Sequence, residues 1–386
     1  MSEQIFSEDL RSAARKAISL NIPFALYALP GDTEFKFLAS EPDDEGNAID
    51  ITDPSLQAFV INGFANSVNS AIGIRPRMTA ADILNLPDDY SPFDGSYKLT
   101  MGITTPYWHY VANVRELQRH IRQSVRKVVF SRKINVEIKA DAVSLAEEYF
   151  CSLPNTFRAM YFTQETGLWI TATPEHLLRY DAAKSEYSTM ALAGTRRTDQ
   201  LEWDEKNTLE HDLVLQQIVD TFRHFKLECE VSQPALIEFG KVAHYCHYLR
   251  AKGDVNPWLI VDSLDPTPAI CGLPTNKALS LINRFEPYAR NCYGGFIGLK
   301  NGENIDLYVN LRCAMLIQHN ENLKVSIISG GGIMKASIPD NEWIEAGMKA
   351  LPLWEAIMRM TPEDVNGDML VDYQITTGDV LPELPL

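Results

Sequence analysis

The last third of the chain contains the pattern that most restricts how it can fold. Residues 292–332 hold three apolar runs separated by the polar segments KNGEN and HNEN. Short segments rich in Asn and Gly between apolar β-forming runs are typical of hairpin turns. We therefore predict an antiparallel meander in this region, and a fold in which an antiparallel sheet is a major component.

Upstream residues add helices and further hairpins. Apolar spacing and turn residues predict helices over 7–20, 109–123, 141–153, 208–222 and 340–351, the last with Asp340 as N-cap. They predict β structure over 25–40, 128–138, 157–174 and 177–194. Residues 53–67 are compatible with a helix or an edge strand. Because strands outnumber what a βαβ alternation needs and helices come in separate blocks, we expect the α+β class.

Charge and composition exclude several kinds of partner. The chain has 386 residues and a formal net charge of −16, which disfavours nucleic acid as a partner. No run of 18 apolar residues is present, so we expect no membrane span. The polar N-terminus is unlike a secretory signal, and the six cysteines are scattered without a CxxC pair. We therefore predict a cytoplasmic protein without disulfides.

Three glutamates are candidates for a metal site. Glu210 projects from the edge of the face that its helix should bury, where an ionised carboxylate needs a cation. Glu342 and Glu345 lie three residues apart and share one helix face. The ordinary alternatives are a partly buried Glu210 satisfied by an arginine or an amide, and a surface pair between Glu345 and Lys349. If the two helices face each other, the carboxylates would suit Mg²⁺.

Basic and glycine-rich positions supply further candidates. Lys127 enters a strand, where a lysine is usually solvated; a buried, neutral Lys127 could instead act as a base. Arg312 interrupts an apolar strand and would need an anionic partner such as a carboxylate. The segment SGGGIM (329–334) could expose amides to an anion, although consecutive glycines also serve close packing.

The order of these motifs along residues 108–357 resembles the chorismate-binding enzyme family. The residues that carry the resemblance are, in chain order, Lys127 in KVVFSR, Glu175 in ATPEHLL, ALAGTRR, Glu210 in LEHDLV, PTPAICGLP, YGGFIG, Arg312 in VNLR, SGGGIM and Glu345 in EWIEAGMK. The resemblance implies an α+β fold in which large antiparallel sheets form a β-sandwich-like core with helices outside. It further implies one chorismate-binding domain over 1–386, with 1–105 as its variable part; no role is assigned to the tail at 361–386.

The resemblance also implies roles for individual residues. Glu210 and Glu345 would hold Mg²⁺, with Glu342 in the same acidic cluster, and the metal would bind the ring carboxylate of chorismate. The remaining roles fall on five positions: Glu175 as the general acid at the C4 hydroxyl, Gly194 along the substrate, and Arg312, Gly330 and Gly332 at the enolpyruvyl carboxylate. Family members usually carry one active-site histidine in an HL motif; here the candidates are His244 and His247, neither followed by leucine.

Three positions distinguish activities within the family. A lysine at position 127 is typical of members that use water as the nucleophile, where ammonia-using members have glutamine. Ala193 replaces the lysine of members that attack the ring covalently. Ala269 stands where pyruvate-eliminating members tend to have threonine. These residues favour an isomerase that converts chorismate to isochorismate, for menaquinone or siderophore synthesis, without an obligatory glutamine-amidotransferase subunit. The alternatives are a salicylate synthase and, with less support, an anthranilate synthase large subunit.

Overall fold

The computed structural model describes residues 4–41, 48–90, 101–121, 124–199, 202–203 and 205–361. The tail prediction therefore lies almost entirely outside the described residues. The helices are α1 (Glu8–Ser19), α2 (Ala80–Leu84), α3 (Tyr107–His120), α4 (Ala142–Cys151), α5 (Glu205–His224), α6 (Pro257–Leu264), α7 (Thr275–Phe285) and α8 (Pro339–Met360). No helix in the described part of the chain is long and apolar enough to cross a membrane.

The strands of the first half are β1 (Phe24–Ala28), β2 (Lys36–Ala39), β3 (Gln57–Asn62), β4 (Ile72–Ile74), β5 (Lys127–Lys139), β6 (Phe157–Thr163), β7 (Gly167–Thr173), β8 (His176–Asp181) and β9 (Glu186–Arg197). Those of the second half are β10 (Cys229–Val231), β11 (Ala235–Phe239), β12 (Val242–Lys252), β13 (Gly272–Leu273), β14 (Phe296–Asn301), β15 (Asn304–Val309), β16 (Cys313–His319) and β17 (Asn322–Ile333).

These strands form two large antiparallel sheets. The first sheet has the order β13-β5-β17-β16-β7-β6-β1-β2. The second has the order β10-β12-β9-β8-β15-β14-β3-β4, with β11 also paired to β12. Strands from the N-terminal third enter both sheets, since β1 pairs with β6 and β3 pairs with β14. Residues 53–67 therefore contribute an inner strand, because β4 lies outside β3.

The main hydrophobic core lies between the sheets. It joins inward side chains of the first sheet, such as Tyr161 and Trp169, to those of the second, such as Phe59 and Ile297. A second core covers the other face of the first sheet with α1, α4 and α8, and a third packs α3 and α7 near β5. The predicted α+β class, with sheets packed face to face and helices outside, is confirmed.

One topological prediction was wrong. The apolar run expected as the middle strand of a meander is broken at residues 310–312, where the chain passes from the second sheet to the first. Asn310 fixes this crossing, because its amide donates to Tyr161 Oη and to the Cys292 carbonyl, both at 2.9 Å. Arg312 follows with φ +51°. The region therefore forms two hairpins, β14–β15 and β16–β17, in different sheets.

Helix α8 also begins earlier than expected. Pro339 is its first residue and Ile338 its N-cap, so Asp340 is in the first turn and is not the cap. A proline suits this first turn because its missing N–H would have no partner there. The helix runs along the end of β17, which brings its glutamates to the glycine-rich segment.

Candidate active site

A cavity of about 70 Å³ collects most of the predicted site residues from separate elements. Its predicted lining residues are Glu175 after β7, Gly194 on β9, Glu210 on α5, His244 on β12, Ala269 before β13, Arg312 at the sheet crossing, and Gly330 and Gly332 on β17. Lys127, Glu342, Glu345 and His247 do not line this cavity; Lys127 contacts the lining residue Glu210, and Glu342 and Glu345 are connected to Glu210 through Lys206. The crossing at residues 310–312 is what places Arg312 here.

Glu175 is the acid of the cavity. Its backbone is fixed by bonds from its amide to Thr173 Oγ1, 3.2 Å, and from the Val309 amide to its carbonyl, 3.0 Å. Burial raises the pKa of Glu175 to about 7, against the opposing attraction of nearby cations that include Lys127 and Arg312. A carboxyl group with a pKa near neutrality can carry and donate a proton at physiological pH.

His244 and Arg312 form a hydrogen-bonded pair beside Glu175. Arg312 Nη2 donates to His244 Nε2 at 2.9 Å, and Nη1 donates to the Lys349 carbonyl at 2.6 Å. Since an arginine can only donate, Nε2 must be unprotonated, and the proton lies on Nδ1, 3.3 Å from the Gly194 carbonyl. Burial and Arg312 lower the pKa of His244 to about 3, consistent with a neutral ring.

No carboxylate of the described residues lies within ion-pair distance of Arg312, so its positive charge faces the cavity without a protein counter-ion. Burial lowers the pKa of Arg312 to about 10, which still leaves it cationic at neutral pH. Its guanidinium lies 4.4 Å from the Phe239 ring centre. An exogenous carboxylate is the natural partner for such a group.

The two histidine candidates have different positions. His244 is in the cavity, whereas His247 contacts His211, with Nε2 of His211 and Nδ1 of His247 2.7 Å apart. His211 in turn lies 3.3 Å from the Ala193 carbonyl. Only His244 is therefore placed to meet a ligand in the cavity.

Lys127 is buried, unlike the solvated lysine that a strand entrance usually carries. It is 0% exposed, and its Nζ lies 2.9 Å from Glu210 Oε1. The contact is an ion pair without aligned hydrogen-bond geometry. Gly332 makes the approach possible, because a Cβ there would lie 2.2 Å from Glu210 Oε1 and 2.5 Å from Lys127 Cε.

The glycine-rich segment is a regular strand. Gly330 and Gly332 pair with Ser131 and Val129 of β5, and neither has a positive φ, so close packing explains these glycines. A Cβ at Gly331 would lie 3.1 Å from Glu345 and 3.2 Å from Glu342. Gly194 is different: its φ is +73°, and a Cβ would be 2.7 Å from the Asn207 carbonyl.

Helices α5 and α8 face each other, as the metal hypothesis required, but a lysine lies between their carboxylates. Lys206 Nζ is 3.2 Å from Glu210, 3.3 Å from Glu342 and 3.6 Å from Glu345. Lys349 Nζ also contacts Glu345, at 2.7 Å. Glu342 Oε2 and Glu210 Oε2 are buried without a hydrogen-bond partner.

The three glutamates of the cluster differ in their pKa values. Burial acts to raise the pKa of Glu210, but Lys127 and Lys206 outweigh it and hold that pKa well below its usual value. Burial raises the pKa of Glu342 to about 7, despite the attraction of Lys206. Burial also acts to raise the pKa of Glu345, yet Lys206 and Lys349 hold it below the usual value. Glu342 is therefore the member that retains a proton near neutrality.

These donors suit a hard divalent cation by their chemistry. Three glutamates supply only oxygen ligands, and two buried oxygens lack partners, which is the kind of set that Mg²⁺ takes with additional ligands from a substrate. As the side chains stand, with an ammonium among them, no three His, Cys, Asp or Glu groups of the described ranges converge closely enough for a metal ion. The residue types therefore suit Mg²⁺, whereas the present spacing of the carboxylates suits the ammonium of Lys206.

Sequence reasoning missed Lys206 and considered Lys349 only as a surface partner of Glu345. Lys206 precedes Glu210 by four residues and Lys349 follows Glu345 by four, a spacing that places each pair on one helix face. Lys349 also lines the cavity and donates to the Gly330 carbonyl at 3.1 Å. The spacing was visible in the sequence, but a surface ion pair has the same spacing, and only burial distinguishes them.

Comparison with known proteins agrees with this geometry. Residues 80–358 match the family described as "Chorismate binding enzyme". Isochorismate synthase EntC of Escherichia coli K12 is 33% identical over 242 residues, covering 58% of this chain and 60% of EntC. Anthranilate synthase component 1 of Bacillus pumilus is 25% identical over 268 residues, covering 64% of this chain and 50% of that protein. The chain thus matches little more than half the length of these curated relatives.

A solved structure shares the fold. MenF, described as the menaquinone-specific isochorismate synthase from Escherichia coli, superposes with a TM-score of 0.70 at 19% identity. The superposition covers 91% of each chain. The two-sheet architecture is therefore that of a known enzyme fold.

Proposed function

This chain belongs to the chorismate-binding enzyme family, and we propose that it converts chorismate to isochorismate. The observation that carries the proposal is a pair of buried groups: Glu175 lines the cavity and has a pKa raised by burial to about 7, and Lys127 contacts the lining residue Glu210 at 2.9 Å. An acid and a base close to the bound substrate are what the isomerisation requires.

The reaction exchanges one hydroxyl for another. Water adds its oxygen to C2 of the ring, the double bond shifts, and the C4 hydroxyl departs as water after accepting a proton. Glu175 is the proton donor to the leaving hydroxyl. Lys127, in its neutral form, is the acceptor for the proton of the attacking water. Because Lys127 is paired with Glu210 at 2.9 Å, this ion pair must open before the lysine can act.

The cavity also supplies the charges that hold a dicarboxylate. Arg312, oriented by His244 and facing the cavity without a protein counter-ion, is assigned to the enolpyruvyl carboxylate. The amides of Gly330 and Gly332 and the backbone of Gly194 are assigned to the substrate surface. Ala269 lines the same cavity.

Glu210, Glu342 and Glu345 are the residues that would hold Mg²⁺. The ion supplies positive charge for the ring carboxylate of chorismate. The lysines contribute positive charge to the same wall, and Lys349 reaches the cavity directly. A dicarboxylate is therefore attracted to the site although the whole chain carries −16.

The residues distinguish this reaction from its neighbours in the family. A buried Lys127 supports water as the nucleophile and disfavours the anthranilate synthase alternative. Ala193, at the cavity wall, cannot form a covalent bond to the ring. Ala269 offers no hydroxyl that would assist a subsequent loss of pyruvate, so we favour release of isochorismate over the salicylate synthase alternative.

One assay tests the proposal. The purified chain is incubated with chorismate and Mg²⁺, the products are separated by chromatography, and pyruvate is measured in the same sample. We expect isochorismate without stoichiometric pyruvate. Salicylate with pyruvate would replace the proposal by the salicylate synthase reaction, and unchanged chorismate would overturn it.

A further inference from the structure

Lys206 occupies the centre of the carboxylate cluster. Its ammonium lies between 3.2 and 3.6 Å from one oxygen of each of three glutamates, Glu210, Glu342 and Glu345. These glutamates come from two facing helices, and the ammonium is the group that neutralises them jointly. We propose that Lys206 is an internal occupant of the cation site, and that a divalent cation binds only when this side chain withdraws. The inference rests on the proposed function, which assigns the cation to these glutamates.

The contacts of Lys206 are those of an exchangeable group. The ammonium of Lys206 contacts the three glutamates at 3.2, 3.3 and 3.6 Å. Lys349, on the other side of Glu345, donates to a glutamate oxygen at 2.7 Å and to the Gly330 carbonyl at 3.1 Å. Lys349 is therefore held by two hydrogen bonds to two different elements, whereas Lys206 is held by longer contacts that all go to carboxylates.

The glutamates retain unused binding capacity around this lysine. Glu210 is 5% exposed and Glu342 is 3% exposed, yet Oε2 of each has no hydrogen-bond partner. Buried carboxylate oxygens are costly when left without partners. The Lys206 ammonium contacts Glu210 through Oε2 but contacts Glu342 through its other oxygen, Oε1. An ion that accepts several oxygen ligands could bind both Oε2 atoms.

Lys206 has space into which it can withdraw. A surface cavity of about 380 Å³ adjoins the cluster and is lined by Lys206, Glu342 and Glu345, together with Ser337 and Asn341. The Lys206 side chain is already 14% exposed on this side, whereas that of Lys127 is 0% exposed. Rotation into this cavity would hydrate the ammonium and offset the loss of its ion pairs.

Charge balance links the exchange to the substrate. A dication together with one carboxylate carries a net charge of about +1, which equals the charge of the ammonium that it replaces. A dication alone would add an extra positive charge beside Lys127 and Lys349. In the wild-type chain, the cation should therefore bind weakly without chorismate and more tightly with it.

Binding of Mn²⁺ tests the inference without an activity assay. The free Mn²⁺ signal is followed by electron paramagnetic resonance for the wild type, Lys206→Met, and Lys277→Met, which removes one exposed lysine on α7 as a charge-matched control. Without chorismate, we expect Lys206→Met to bind Mn²⁺ at least tenfold more tightly than both other proteins. Equal or weaker binding by Lys206→Met would overturn the inference.

The melting temperature provides a second measurement, which also shows whether the variant is less stable than the wild type. Mg²⁺ should raise the melting temperature of Lys206→Met by several degrees and leave the wild type nearly unchanged; equal shifts would contradict the exchange. If Lys206→Met does not fold, Lys206→Gln, which keeps a polar side chain of similar length, is measured in the same way. Chorismate conversion by the wild type is assayed separately. If the wild type converts chorismate but the proteins bind Mn²⁺ equally, only this inference is overturned. If Lys206→Met binds Mn²⁺ more tightly but the wild type does not convert chorismate, only the proposed reaction is overturned.

Discussion

Two buried ionic groups contact residues that line the cavity, and they differ in how completely their hydrogen-bonding groups are satisfied. Arg290 and Glu286 form a bidentate pair with bonds of 2.6 and 2.7 Å, and Arg290 also donates to the Ile270 and Val129 carbonyls. Glu286 accepts two further bonds from Ser131. In the cluster behind Glu210, by contrast, Lys127 Nζ and Oε2 of Glu210 lack hydrogen-bond partners.

This difference separates an ion pair with a structural role from the cluster that is proposed to be functional. A fully hydrogen-bonded pair holds one geometry, and here it ties the loop after Ala269 to strand β5, two residues beyond Lys127. A cluster with unused donors and acceptors costs stability but can accept a new charge. The first group holds neighbouring elements in one geometry, and the second is the group to which the proposed reaction assigns binding and catalysis.

The largest effect is expected on activity, from substitutions of the proposed base and acid. Lys127→Met should lower the rate of chorismate conversion by roughly 10²–10⁴, the usual contribution of a general base. Glu175→Gln should have an effect of the same order, because the amide cannot donate the proton as a carboxylic acid does. Both are measured as kcat with folding checked by circular dichroism. Wild-type turnover by either variant would remove that residue from the mechanism.

The next effect is expected on stability, from substitution in the fully hydrogen-bonded pair. Arg290→Met leaves Glu286 buried without its cation and should lower the free energy of unfolding by about 3–5 kcal/mol. Arg284→Met, which removes an exposed arginine two residues before Glu286, is the control and should change it by less than about 0.5 kcal/mol. Urea denaturation measures both. Similar losses for the two variants would mean that the bidentate pair has no special structural role.

A smaller effect is expected on KM, from the histidine that orients Arg312. His244→Phe removes the acceptor that orients Arg312, and it should raise KM by about tenfold, the value of one hydrogen bond to a charged group. The effect on kcat should be smaller, because His244 does not transfer a proton in the proposed reaction. His247→Phe should raise KM less than His244→Phe. The reverse order would assign the histidine role to His247.

The last expected effect, which needs no substitution, is the pH dependence that Glu175 imposes. Since burial raises the pKa of Glu175 to about 7, the group is protonated below that pH and loses its proton above it. The proton-donating step should therefore slow by about tenfold per pH unit above 7. The stability that this proton contributes is fully present below the ordinary pKa of 4.5 and is lost as pH rises through about 7. A kcat profile that stays flat to pH 9 would contradict the assignment.

Most secondary-structure elements were predictable because their signals are local. The hairpins at 157–174 and 177–194 and helices α4 and α5 follow from apolar spacing and turn residues. The break at residues 310–312 was not predictable, because it depends on contacts of Asn310 with two residues that are distant in sequence. These residues are Tyr161 and Cys292. The same crossing turns Arg312 from an interruption of a strand into a cavity residue.

The α+β class, the family and most of the candidate site residues follow from the amino-acid sequence alone, since these depend on local patterns and the order of motifs. Tertiary structure decided which residues meet. It placed His244 in the cavity and His247 outside it, buried Lys127 against Glu210, and positioned Lys206 among three glutamates. Burial and contacts between distant elements set these outcomes, and a four-residue spacing is the same for a surface pair as for an active-site pair.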